Sequence, residues 1–351
     1  MSKAVTSLIT QDDDALQVSA ALLEVRDLLV EFHLRRGVVT AVSGLSYQLH
    51  RGETLAIVGE SGSGKTVAAQ AVLGILTTPP ARVAGGEVLL NGQDLLLMSE
   101  SERRRIRGED IALIAQNASL NPVFSVGWQI AEPFRIHRGM SHRDSLIKAA
   151  ELLDRVGIPA ARSRLKDYPH EFSGGMRQRV SIAMAMALEP DVLIADEPTT
   201  ALDVTIQAQI MALLQEMQGE TGMGIVLITH DLGLVSEWAD RLLVMYAGRE
   251  CETGTVEEIF AQSAHPYTRG LIGSIPQARH KAGRLAPIPG SPPDLMQPAP
   301  GCSFAPRCAW AIDRCTAERP ELKSLGSGRA SSCHRTEKLL HVGEGEYQRH
   351  A

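Results

Sequence analysis

One stretch constrains the fold of this 351-residue chain more than any other: Gly59-Glu60-Ser61-Gly62-Ser63-Gly64-Lys65-Thr66. It matches the phosphate-binding pattern Gly-x4-Gly-Lys-Thr at every fixed position. The apolar run 55–58 before it reads as a buried strand, and the Ala- and Val-rich run 67–76 after it reads as a helix. Strand, loop and helix together are the setting of a phosphate cradle. The glycines let the backbone bend so that its N–H groups point inward, and the helix N-terminus adds partial positive charge. Lys65 is then expected to reach the β- and γ-phosphates, and the Thr66 hydroxyl to sit on Mg²⁺. Gly59, Ser61, Gly62, Ser63 and Gly64 line the cradle, and the expected ligand is a nucleoside triphosphate.

A second constellation turns binding toward hydrolysis. Val192-Leu193-Ile194-Ala195 is a buried strand that ends in two carboxylates, Asp196 and Glu197. Phosphoryl transfer is mostly positioning and charge neutralisation. One acid for the metal (Asp196) and one to polarise the attacking water (Glu197) complete that chemistry. Strand 111–115 ends at Gln116, which can reach Mg²⁺ or a water. Strand 224–229 ends at His230, at the edge where ligands gather in open α/β sheets, within reach of a γ-phosphate. Taken singly, Gln116 and His230 are also ordinary surface polar residues. Ser173-Gly174-Gly175 directly precedes a helix and offers N–H groups and a hydroxyl to an anion. By itself it is only a helix start. In a chain that already has a phosphate loop, it suggests a cap for another subunit's nucleotide. Asp203 opens helix 204–218 and reads as an N-cap or a site residue. Phe32 ends a strand and reads as an adenine-stacking ring or a sheet-face aromatic.

Around these motifs the chain divides into parts. Residues 1–21 carry Asp12, Asp13 and Asp14 and lack the basic start and apolar centre of a signal peptide. They are expected to be a disordered tail on an intracellular protein. Residues 22–262 form the nucleotide-binding domain, with strands over 22–58 and an Asn91-Gly92 turn. A helical subdomain is expected at about 123–190, with helices at 126–136, 144–156 and 176–189. Residues 263–351 form a C-terminal extension with a Pro-rich connector at 287–300. The net charge of −6 gives no sign of a nucleic-acid surface. No apolar run approaches 18 residues, so no membrane span is expected.

Four of the five cysteines, Cys302, Cys308, Cys315 and Cys333, crowd into the extension. In a chain read as cytosolic, such clustering points to a metal rather than to disulfides. The tight Cys-x2-Cys pairs of zinc ribbons are missing, whereas an iron–sulfur cluster tolerates looser spacing. Spacing leaves cluster, zinc and free buried thiols all open. His334 is a further possible ligand, and Cys251 reads as a core residue.

The residues now in hand resemble the ATP-binding subunits of ABC transporters. The 59–66 loop is similar to their Walker A motif, Gln116 to the Q-loop, and Phe172-Ser173-Gly174-Gly175-Met176 to the signature. Val192 through Glu197 resembles Walker B with its catalytic Glu, Ala201-Leu202-Asp203 the D-loop, and His230 the switch histidine. The resemblance implies an α/β fold: a P-loop NTPase, ABC-type nucleotide-binding domain with an inserted helical subdomain and a small Cys-containing C-terminal extension. It favours Phe32 for adenine stacking. It also implies an ATPase that works as a head-to-tail dimer, with Ser173, Gly174 and Gly175 over the partner's ATP.

Ser119-Leu120-Asn121-Pro122, His265-Pro266-Tyr267-Thr268, Ile288-Pro289-Gly290 and the Gly301 to Cys308 segment resemble the dipeptide/oligopeptide importer class. That class implies a 4Fe-4S cluster on Cys302, Cys308, Cys315 and Cys333, with zinc as the lesser alternative. It implies a second, related ATPase subunit, two permease subunits and an extracytoplasmic substrate-binding protein. The chain would then sit peripherally on the cytoplasmic face of the inner membrane. Nickel importers share much of the tail, so nickel or another small solute is the alternative cargo.

Overall fold

The computed structural model describes residues 20–116, 120–200, 202–275, 288–297 and 299–341. The expected N-terminal tail (save Ala20 and Ala21), Ser119, Ala201 and part of the Pro-rich connector lie outside the described residues.

The described residues begin with two long antiparallel strands, β1 (Leu23–Leu34) and β2 (Gly37–Leu49). Strand β3 (Thr54–Val58) then feeds the phosphate loop and helix α1 (Lys65–Val72). Strands β4 (Ala81–Leu90) and β5 (Gln93–Asp94) return beside β1, giving a four-stranded antiparallel sheet in the order β2-β1-β4-β5. The Asn91-Gly92 turn joins β4 to β5 with both residues at positive φ, as a tight hairpin requires. Helix α2 (Glu100–Ile106) begins with a capping box between Ser99 and Glu102, and β6 (Ile111–Ile114) follows.

The helical subdomain holds α3 (Val126–Arg138), α4 (His142–Arg155), α5 (Ala161–Arg164) and α6 (Gly174–Ala185). Ser125, Ser141 and Ser173 each begin a helix by accepting a backbone N–H three residues on. Ile130, Phe134, Leu153 and Val180 face one another and form this subdomain's core.

The described residues that follow return to strands, an 18-residue helix and several shorter helices. These are β7 (Val192–Asp196), α7 (Val204–Thr221), β8 (Gly224–Thr229), α8 (Leu232–Trp238), β9 (Arg241–Tyr246), β10 (Arg249–Thr255), α9 (Val256–Ala261), α10 (Pro266–Gly273), α11 (Asp313–Ala317), β11 (Lys323–Gly326), β12 (Arg329–Ser331) and α12 (Thr336–Leu340). Among the described residues, eight strands form a second sheet in the order β11-β12-β10-β9-β3-β8-β7-β6. Its β9-β3-β8-β7-β6 part is parallel. Every residue of β3, β7 and β8 is buried. That is why these strands read as continuous apolar runs rather than alternations: both faces are covered. The parallel strands carry the phosphate loop, Asp196 and His230 to the same C-terminal edge of the sheet. The expected α/β fold, with its inserted helical subdomain and Cys-containing extension, is the one observed.

The extension is not detached from the sheet. Strand β12 pairs antiparallel with β10, Glu252 opposite Ser331, and β11 pairs with β12. The Glu252 side chain is fully buried and accepts from the backbone N–H groups of Ala264 (2.7 Å) and His265 (3.0 Å) and from Arg329 (3.2 Å). A strand of three residues carries too little alternation to be read from sequence; its partner decides it.

Candidate active site

The phosphate loop is shaped by close backbone approaches. A Cβ on Gly59 would lie 2.2 Å from the Met245 carbonyl oxygen. Gly64 has φ +101, and a Cβ there would lie 2.5 Å from the Ala41 carbonyl oxygen. Only glycine fits either position. Lys65 is buried inside the loop, where its Nζ donates to the carbonyls of Gly59 (2.7 Å) and Glu60 (3.1 Å) and to Ser63 Oγ (3.3 Å). Burial draws the Lys65 ammonium below its ordinary pKa, against the opposing pull of Glu197, Asp196 and Glu60.

Asp196 stands at the end of β7, 4% exposed. Burial raises its pKa; the hydrogen bond from Thr66 works the other way, the neighbouring Glu197 adds to the rise, and Lys65 opposes it. Asp196 Oδ1 is buried without a hydrogen-bond partner. A buried carboxylate oxygen with no donor is costly, and here it lies beside a threonine hydroxyl at the mouth of a phosphate loop. That unmet demand and all-oxygen chemistry fit a hard divalent cation such as Mg²⁺.

Glu197 follows at φ +48, in the left-handed region that a non-glycine residue enters at a cost of roughly 1–2 kcal/mol. Its carboxylate is the meeting point of three elements. Oε2 accepts from Gln116 Nε2 (2.8 Å) and Thr200 Oγ1 (2.8 Å), and Oε1 lies 3.2 Å from His230 Nδ1. Partial burial works to raise the Glu197 pKa, but the hydrogen bonds of Thr200, His230 and Gln116 hold it below the usual value. The ionised carboxylate can only accept, so Nδ1 of His230 carries the proton in this contact. Gln116 and His230, separate in sequence, are thus brought together on the acid. Thr200 was not anticipated; its place three residues after Glu197 was the available signal.

Ser173-Gly174-Gly175 is elsewhere. Ser173 caps α6 by accepting the Met176 N–H, and Ser173 and Gly174 are exposed. A Cβ on Gly175 would lie 2.9 Å from Ile206 Cγ2, so this stretch packs against the start of α7. Among the described residues no hydrogen bond or ion pair joins it to the phosphate loop. Asp203 is the exposed N-cap of α7, accepting from the Ile206 N–H at 3.0 Å. Phe32 is half-buried on β1 against the core shared by the two sheets.

The loop also touches the C-terminal extension. Arg307 donates to both Glu60 carboxylate oxygens (2.6 and 2.9 Å), and the Glu60 backbone N–H donates to the Tyr267 hydroxyl (2.8 Å). The Glu60 carboxylate, more than the opposing cost of burial, holds the Arg307 pKa above its ordinary value. Glu60, Tyr267 and Arg307 were not singled out as site residues in the sequence, since nothing local links them.

The cysteine expectation is corrected. Cys302, Cys308, Cys315 and Cys333 line one small cavity together with Phe304, Trp310, Pro266 and Pro320. The space enclosed is about 10 Å³, room for a single water at most. Among the described residues no group of three or more His, Cys, Asp or Glu side chains is placed to hold a metal ion. Among the described residues neither a 4Fe-4S cluster nor zinc has a site: the thiols line a narrow junction together with His265, His334 and Arg335. Burial pushes Cys308 up to about 11 and Cys333 up to about 12.

The ABC transporter family model matches residues 42–200, and that of the oligopeptide/dipeptide transporter C-terminal region matches 251–315. The dipeptide transport ATP-binding protein DppD of Bacillus subtilis is 52% identical over 289 residues, 82% of this chain and 86% of that protein. A Brucella melitensis protein described as a candidate peptide import ATP-binding protein is 46% identical over 331 residues, 91% of this chain and 98% of the other. Among solved structures, a dimeric ATP-binding cassette bound to ADP and Pi superposes with a TM-score of 0.61 at 25% identity, covering 67% of this chain and 98% of that one. The cbiO1 subunit of a Clostridium perfringens ABC transporter complex does so with 0.57 at 29% identity, covering 69% and 91%. The chain belongs to the ATP-binding subunits of ABC transporters, in the branch that carries the oligopeptide/dipeptide C-terminal region.

Proposed function

We propose that this chain is the ATP-hydrolysing subunit that powers uptake of dipeptides or oligopeptides through a pair of membrane permeases. The observation that carries the hydrolytic part is the convergence of Gln116, Thr200 and His230 on Glu197, one residue from a buried Asp196 with an unpartnered oxygen. The cargo follows from the relatives' names and from the matched C-terminal region.

In this reading Lys65, Thr66 and the loop residues Gly59, Ser61, Gly62, Ser63 and Gly64 bind the phosphates of ATP. Thr66 and Asp196, with Gln116 in reach, would hold Mg²⁺, which when bound neutralises charge on the β- and γ-phosphates. Glu197 orients the attacking water and takes up its proton. His230 and Gln116, now engaged with Glu197, turn to the γ-phosphate and the water when nucleotide arrives. Phe32 stacks on the adenine. The exposed Ser173-Gly174-Gly175 start of α6, with Asp203, closes over the ATP of a second, related ATPase subunit.

Among the described residues no helix is long and apolar enough to cross a membrane. The chain would act from the cytoplasmic face, with the permeases supplied by other chains and cargo delivered by an extracytoplasmic binding protein. Cells lacking this chain should lose accumulation of a labelled dipeptide and regain it with the intact gene. Retained dipeptide uptake with loss of Ni²⁺ uptake would overturn the peptide reading.

A further inference from the structure

Glu60 occupies a spacer position of the phosphate loop, yet it is held from every side. Its carbonyl accepts from Lys65 Nζ (3.1 Å) and from the Ser63 N–H (3.2 Å). Its N–H donates to the Tyr267 hydroxyl, and its carboxylate takes a two-pronged bond from Arg307. The first two bonds are internal to the loop; the other two come from residues 207 and 247 positions away, in the C-terminal region.

Arg307 is itself rigidly placed. It is buried, donates through Nε to the Pro289 carbonyl (2.7 Å) and through Nη1 to the Tyr246 hydroxyl (3.1 Å), and lies near the rings of Tyr246 and Phe304. Tyr267 is fully buried against the same two rings, at 4.6 and 5.3 Å between centroids. The aromatic cluster thus ties 3₁₀ turn Ala305–Arg307, helix α10 and strand β9 to one loop residue.

The charge arithmetic gives this clasp a purpose. A carboxylate in a phosphate loop repels the polyphosphate that the loop must bind, unless a cation neutralises it. A planar guanidinium does so with fixed geometry and without drawing on Lys65 for the Glu60 carboxylate. We propose that Arg307 and Tyr267 are positioning residues of the ATP site: through Glu60 the C-terminal extension sets the charge and shape of the phosphate loop. The proposal rests on the reading of residues 59–66 as the ATP cradle. It makes nucleotide affinity depend on how the extension is seated on the sheet.

The test uses the full-length chain in its assembled complex, with KM for MgATP, kcat and thermal midpoint measured together. Arg307→Met should raise KM about tenfold, because a bare carboxylate then faces the phosphates, while kcat stays within about twofold. Adding Glu60→Gln to that chain removes the stranded charge and should return KM to within about threefold of wild type. Arg307→Lys keeps the charge, loses the fork, and should give an intermediate KM; it covers the case in which Arg307→Met does not fold. An unchanged KM in Arg307→Met or Arg307→Lys, or a double variant as weak as the single, would make the contact packing alone and overturn the proposal. If the wild-type chain itself bound no MgATP, the ATP reading would fail instead.

Discussion

The phosphate site and the cysteine cavity are the two places where this sequence concentrates chemically capable side chains, and they differ in what the fold leaves unmet. At the phosphate site a carboxylate oxygen of Asp196 is buried without a donor, a buried ammonium is turned onto backbone carbonyls, and Glu197 is held at a strained φ. The unpartnered oxygen and the strained φ cost free energy that a ligand can offset. At the cysteine cavity the thiols are packed against Phe304, Trp310 and two prolines around a space for a water at most. Burial there costs a thiol little, because a protonated cysteine behaves as a small hydrophobe. Here the unpartnered Asp196 oxygen beside the phosphate loop, and not the number of potential ligands, separates the two places.

The contrast can be broken by substitution. Lys65→Met should lower apparent MgATP affinity by about 100-fold, because it removes the cation that the loop presents to the phosphates. Nucleotide titration checks this, and near-wild-type affinity would mean that the buried ammonium serves structure alone. Glu250 offers a second buried acid for comparison with Asp196. Burial lifts its pKa from 4.5 to about 7, with Arg241 only partly opposing. The folded state therefore holds that proton more tightly than the unfolded chain. Its stabilising effect is complete below about 4.5 and is lost as pH rises through 7. Glu250→Gln should change stability little at about pH 5 and raise it by about 3 kcal/mol at about pH 8, read from denaturant midpoints. A gain that does not grow with pH would contradict the buried-acid account. Cys315→Ala should give the smallest effect, a loss of about 1 kcal/mol with KM for MgATP unchanged. Collapse of the whole extension would show that the thiol does more than pack.

How much of this was legible in the sequence follows from range. The phosphate loop, the strand ending in Asp196-Glu197 and the serine-capped helices were readable because each is decided within a few residues. Gln116 and His230 were placed at strand ends, but their meeting on Glu197 depends on β6, β7 and β8 lying side by side. The Arg307–Glu60 bond spans 247 positions and leaves no periodic trace. The cysteines misled for a related reason: spacing shows that thiols can converge, not how much room they enclose. Strands β11 and β12 escaped because pairing to β10, not their own pattern, makes them strands.

The central claim is that Glu197, with Gln116 and His230 gathered on it, is the acid of a working ATPase. The direct measurement is single-turnover ATP hydrolysis by the assembled complex carrying Glu197→Gln, which keeps the side chain's size and shape but removes the charge and the base. The account predicts MgATP binding near the wild-type level and hydrolysis slowed by at least about 100-fold. Hydrolysis at the wild-type rate would contradict it.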